Sequence, residues 1–146
     1  MSLKEWLQNG WLVEHSPTPQ DIRNLLEIAD RDLVECNQAL SADWRMNIAY
    51  NAALQLATAA LHAAGYRAAH GSHHYHAIQS LALTVGWSGA EVSELDRFRK
   101  KRNISDYERA NVTSDLEATR MIAVAQRLRV QVEAWIRANH PNLLGA

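Results

Sequence analysis

The feature that most constrains this chain is the stretch from Ser41 to Gly65. It opens on a hydroxyl residue and closes on a glycine. Between them alanine recurs throughout, with Trp44, Ile48, Leu54, Leu56 and Leu61 as the larger side chains. Alanine has the highest helix propensity, Ser is a favoured N-cap, and Gly follows helix C-termini. A helix with small residues all round lets several neighbours approach its backbone, so this segment predicts the central helix of a bundle.

The flanking sequence predicts the partners. Thr18-Pro19-Gln20-Asp21 combines a hydroxyl cap, a proline in the first turn and an acid near the positive end of the helix dipole. The helix it starts runs to about Gln38, with Ile22, Leu25, Leu26, Ala29, Leu33 and Cys36 on one face. A third helix is expected over Tyr75–Val85, ending at Gly86, after a loop from Ala68 to His74. Ser88 starts a fourth, with Val92, Leu95 and Phe98 inward, which ends between Lys101 and Tyr107. Thr113-Ser114-Asp115 starts the longest, whose buried side is read as Leu116, Met121, Val124, Leu128, Val132 and Trp135; Pro141 follows its end. No alternating apolar pattern predicts a strand. The expectation is an all-α antiparallel bundle of four to five helices over residues 18–140. An N-terminal arm (1–17) carries Trp6, Trp11, Leu12 and Val13, and a short tail covers 141–146.

Bulk properties narrow the function classes. At 146 residues one domain with its own core is expected. A net charge of −1 means that any polyanion site must be local. Cys36 is the single cysteine, which fits a reducing compartment. Neither a signal-peptide pattern nor an apolar run of spanning length is seen: Ala52–Ala64 is interrupted by Gln55, Thr58 and His62. A cytoplasmic protein without membrane contact is the expectation.

Two clusters carry chemistry. Arg97-Phe98-Arg99-Lys100-Lys101-Arg102 has five basic residues in six, which a helix C-terminus alone would accommodate. Arg99, Arg102, Asn103 and Asp106 also recur at helical spacing, with Tyr107 one turn beyond Asn103. A guanidinium fork, an amide, a carboxylate and a phenol within one turn suit a phosphate with its sugar or base. The second cluster is His70, His73, His74 and His76. It lacks the spacing and companion ligands of a zinc site, so no metal or other cofactor is expected. His73, His74 and His76 are instead candidate binding residues lining a cleft with the basic segment. His62 is read as a core or interface histidine. Gly86-x-x-Gly89 lacks the Lys-Ser/Thr of a phosphate loop.

On these residues the chain resembles the HEPN superfamily of helical bundles, over about residues 20–138. The resemblance rests on Ala49-Tyr50-Asn51-Ala52-Ala53-Leu54-Gln55, on the His-rich turn, and on Arg102-Asn103-x-x-Asp106-Tyr107. It implies an RNA- or nucleotide-binding protein that acts with a nucleotidyltransferase or in a toxin–antitoxin or stress setting, as a homodimer pairing two motifs across a cleft. Ribonuclease members carry Arg, a polar residue, three spacers and His, and cleave RNA without a metal. Here Arg102 and Asn103 match, but Tyr107 stands where histidine is expected. Taken as a catalytic set, Arg102 would hold the phosphate, Asn103 orient it, and Tyr107 position a base or 2′-hydroxyl. Arg99 and Asp106 would join in binding. A phenol of pKa about 10 is a poor general base at neutral pH, which places binding ahead of an endoribonuclease toxin. A non-catalytic dimeric interaction module is the third reading.

Overall fold

The computed structural model describes residues 1–38, 41–71, 73–107 and 113–145, and gives residues 103–107 as helical backbone. The described residues form six α-helices and one two-stranded antiparallel sheet: α1 (Leu3–Gln8), β1 (Leu12–Glu14), α2 (Pro19–Glu35), α3 (Ala42–Ala63), β2 (Tyr66–Ala68), α4 (His73–Gln79), α5 (Gly89–Tyr107) and α6 (Asp115–Asn139). One-turn 3₁₀ helices follow α4 (Ser80–Ala82) and α6 (Pro141–Leu144). The all-α bundle expected from the sequence is the observed fold. No helix among the described residues is long and apolar enough to cross a membrane.

Local chemistry starts the helices where the sequence places them. The Thr18 hydroxyl accepts from the Asp21 N–H, and the Asp21 carboxylate accepts from the Thr18 N–H, forming a reciprocal capping box. Ser114 and Glu117 repeat the arrangement at α6, and Ser41 caps α3 through the Trp44 N–H. Gly65, at φ +100°, turns the chain out of α3.

α3 occupies the centre, packed mainly against α6 and α2, with α5 and α4 against the remaining sides. Ala49, Ala53, Ala57 and Ala60 are fully buried along it. Small side chains let neighbouring backbones come close, and the larger knobs come from the partners: Ile22 and Leu26 of α2, and Met121, Leu128, Val132 and Ile136 of α6. Asp32 of α2, 4% exposed, accepts a 2.6 Å hydrogen bond from the Asn51 amide of α3 and one from Arg31. Arg129 bridges α6 to Asp30 of α2, Arg120 bridges α6 to Glu94 of α5, and Arg45 ties α3 to Asp115.

Several expectations are corrected. Strands do occur: β1 pairs with β2 in the register Leu12↔Ala68, Val13↔Arg67, Glu14↔Tyr66. Each is only three residues long, too short for an alternating pattern to stand out. The N-terminal segment thus packs back on the body, where Trp6, Leu12 and Leu61 form a small second core. The third helix starts at His73 and gives way to a 3₁₀ turn at Ser80, short of Val85. Leu116, read as inward, is 80% exposed, and Trp44 is 63% exposed. Each lies in the first turn of its helix, where Asp115 and Arg45 pair at the surface. The fourth helix, α5, ends at Tyr107, the far limit of the range expected, so the basic run lies within the helix and not in its last turn.

Candidate functional site

Because α5 continues, the basic side chains are balanced laterally and not by the helix end. Arg99 Nε lies 2.7 Å from Asp96 Oδ1, Lys100 Nζ lies 3.5 Å from Asp96 Oδ2, and Lys101 Nζ lies 3.0 Å from Glu117. Arg99 and Arg102 are further distinguished by what lies beneath them. The Arg99 guanidinium carbon sits 5.5 Å from the ring centre of Tyr75 on α4, and that of Arg102 sits 5.5 Å from the ring of Tyr50 on α3. An aromatic face attracts a cation and restricts its planar head group, so both forks are pre-oriented at modest entropic cost.

Tyr50 is the buried floor of this arrangement. Its hydroxyl has no hydrogen-bond partner among the described residues, and burial pushes its pKa up to about 12, against the opposing pull of Arg102 and Arg99. At neutral pH it is a phenol, with a donor to give and no charge of its own. Asn103, Asp106 and Tyr107, the rest of the expected site on α5, have side chains outside the described residues; their backbone is helical.

Next to the arginines opens a cleft of about 430 Å³ between α3, β2 and α4. Gln55, Thr58 and His62 come from α3, Arg67 from β2, and His70, His73 and His74 from the following turn and helix. Among the described residues no carboxylate lines it. His73 and His74 contact each other edge to face, with ring centres 4.4 Å apart. The His74 pKa is lowered, by burial first and then by the positive charges of His73, Arg102 and Arg99. His74 therefore joins the two halves: it lines the cleft and feels both arginines. His62 is lowered further, to about 4, chiefly by burial, then by His15 and Arg67 against the opposing pull of Asp21. At neutral pH both present uncharged imidazoles.

The structure thus brings together Arg99, Arg102, His73 and His74 of the residues singled out from the sequence. It places His76 elsewhere. The His76 ring stacks on Trp11 at 5.4 Å and 14° and meets Trp6 edge-on, so its role is with the N-terminal segment and not the cleft. Tyr50, Gln55, His62, Arg67 and Tyr75 are the additions. No spacing rule could have gathered them, since they lie on three separate elements, α3, β2 and α4; the one local signal was the concentration of His and Arg on either side of Gly65. Among the described residues no three His, Cys, Asp or Glu side chains are grouped to hold a metal ion.

Taken together, fold and site define an all-α bundle with a cationic, imidazole-lined cleft on one side of its central helix. No family model and no curated protein matches this sequence.

Proposed function

We propose that this chain is a HEPN-like RNA- or nucleotide-binding protein that holds a phosphate group between the Arg99–Arg102 face of α5 and the adjoining cleft. The observation that carries this reading is the pair of guanidiniums held over tyrosine rings beside a cleft lined, among the described residues, by imidazoles and Arg67 and by no carboxylate. Planar forks bind phosphate oxygens in pairs, and a phosphate at Arg99 would share that fork with the Asp96 carboxylate 2.7 Å away. Arg67 adds a further cation, and the Gln55 amide and the neutral His62 are suited to a sugar or base edge. Resemblance to the HEPN bundles extends the proposal to a homodimer acting beside a nucleotidyltransferase or in a toxin–antitoxin or stress response.

The test is equilibrium binding of ATP and of short RNA to the wild type and to Arg102→Ala and Arg67→Ala. Each substitution should weaken binding by about tenfold, the order expected for a charge-assisted hydrogen bond. Binding of RNA should also weaken linearly in log salt, with a slope of about −0.7 per phosphate contacted. Unchanged affinity in Arg102→Ala refutes the site.

A second reading, a metal-independent ribonuclease, is favoured by His74. The motif on α5 lacks its histidine, yet a neutral imidazole from α4 stands within the field of Arg102 and Arg99. It could accept the 2′-hydroxyl proton that Tyr107 is poorly suited to take. Incubating mixed RNA with the protein and a chelator decides this: cleavage abolished by His74→Ala supports it, and intact RNA sinks it.

A further inference from the structure

The side of α5 that meets α6 is not used by the phosphate site, whose arginines turn to α4 and α3. Glu94, Arg97, Phe98 and Lys101 recur along it at three- and four-residue spacing, so they share one face. Leu116, Glu117 and Arg120 of α6 stand opposite, and between the two helices lies a groove of about 640 Å³, larger than the phosphate cleft. Two bridges link its walls: Arg120 donates to both Glu94 carboxylate oxygens, and Lys101 Nζ lies 3.0 Å from Glu117. Arg97 and Phe98 come between the bridged positions on α5, a stretch of about 10 Å or two helical turns.

The open lining of this groove is mostly apolar. A lone exposed leucine is ordinary. Leu116 differs because it walls a hollow whose other side includes Phe98. Around that hollow the described residues supply four cations, Arg97, Lys100, Lys101 and Arg120, against two carboxylates, Glu94 and Glu117. Both carboxylates are engaged by the bridges. The Glu94 carboxyl is held below its ordinary range, first by the Arg120 hydrogen bond against an opposing effect of burial, then by the charges of Arg120, Arg97 and Arg127. Lys100 shares the single Asp96 carboxylate with Arg99 and stays largely exposed. Positive charge at Arg97 and Lys100 is thus in surplus beside an apolar hollow.

We propose that the α5–α6 groove docks an acidic amphipathic helix of another protein, with its apolar side chains against Leu116 and Phe98 and its carboxylates on Arg97 and Lys100. Charge complementarity selects this occupant: a helix laid in a groove is held by apolar anchors one turn apart, and opposite charge at the rim orients it. A nucleic-acid backbone would satisfy the cations but gain nothing from Leu116 and Phe98. The proposal stands apart from the phosphate-binding reading, because it uses a different side of α5.

The experiment is a selection of random 12-residue peptides displayed on phage against the immobilised full chain, followed by fluorescence anisotropy of the enriched peptide, synthesised with a label. Enriched sequences should place Asp or Glu beside large apolar residues at one-turn spacing. Leu116→Ser and Arg97→Glu should each weaken the peptide by about tenfold or more. Replacing the peptide's acids by Lys should abolish binding to the wild type and restore part of it to Arg97→Glu. Arg102→Ala should bind the peptide as the wild type does. Leu116 and Arg97 are both exposed, so circular dichroism melts should match the wild type; should either variant melt early, Leu116→Ala and Arg97→Gln take their places. Failure to enrich acidic, apolar peptides, or an affinity indifferent to both substitutions, overturns the proposal. Displacement of the peptide by mixed RNA, with RNA binding lowered by Arg97→Glu but not by Leu116→Ser, would make the groove a polyanion site and overturn it too. So would a wild-type dimer in light scattering that Leu116→Ser dissociates, since a second copy of this chain would then cover the groove.

Discussion

His62 makes the folding stability of this protein depend on pH in a direction and range that can be calculated. The imidazole is partly buried on α3, with the His15 ring centre 4.5 Å away and Arg67 also near. Burial, then those two positive neighbours, lower its pKa from 6.5 to about 4 in the fold, against a smaller opposing effect of Asp21. In the unfolded chain the histidine returns to its ordinary value. Between these two values the unfolded state binds a proton that the folded state does not, so stability is fully present above 6.5 and is lost as pH falls toward 4. For one such group the loss between about pH 7.5 and about pH 5 comes to about 2 kcal/mol. His74 and His76 are shifted in the same direction, so the total loss should be larger. The contribution of His62 is isolated by comparing the wild type with His62→Gln in urea unfolding followed by circular dichroism at the two pH values. The wild type should lose about 2 kcal/mol more than the variant. An equal loss in both proteins, or an imidazole proton resonance of His62 titrating at or above 6.5, refutes the reasoning.

Three further predictions follow from the packing. Asn51→Ala leaves the buried Asp32 carboxylate with the exposed Arg31 as its remaining side-chain partner among the described residues, and should cost about 2 kcal/mol in chemical denaturation; an Asp32→Asn background should remove most of that cost, and if it does not, the hydrogen bond is not its source. Tyr50→Phe deletes a buried hydroxyl that has no hydrogen-bond partner among the described residues, so stability should hold or rise, by up to about 1 kcal/mol in thermal unfolding; a clear fall would show that the hydroxyl is satisfied. Ala57→Leu forces extra volume between α3 and its neighbours and should cost about 1–3 kcal/mol, measured by thermal unfolding; a neutral outcome would mean α3 is not closely packed there.

What could be read locally was read from particular residues. Thr18, Ser41 and Ser114 each accept a hydrogen bond from the N–H three residues ahead, so their capping role is contained within four positions of sequence. The buried faces of α2 and α5 follow from helical spacing, and Ile22, Leu26, Val92 and Leu95 lie where it puts them. Spacing, however, fixes only the angle of a side chain about its helix. It does not say whether a neighbour extends far enough along the axis to cover it, which is why Leu116, on the apolar side of its helix by spacing, lies in the open. The same limit applies to the site. Arg99 and Arg102 stand out in sequence as a pair on one face, whereas Tyr75 and Tyr50 beneath them come from different helices.

The chain by itself, then, determined that it would be helical, where most of its helices begin, and that the Ala-rich segment lies at the centre, because propensity, capping and periodicity act over a few residues. Only the tertiary structure decided that the N-terminal segment pairs with β2, that His73 and His74 turn into a cleft while His76 turns to Trp6 and Trp11, and that His62 and Arg67 join them. Those outcomes depend on which elements meet, and contacts between distant parts of a chain leave no mark on the spacing of either part.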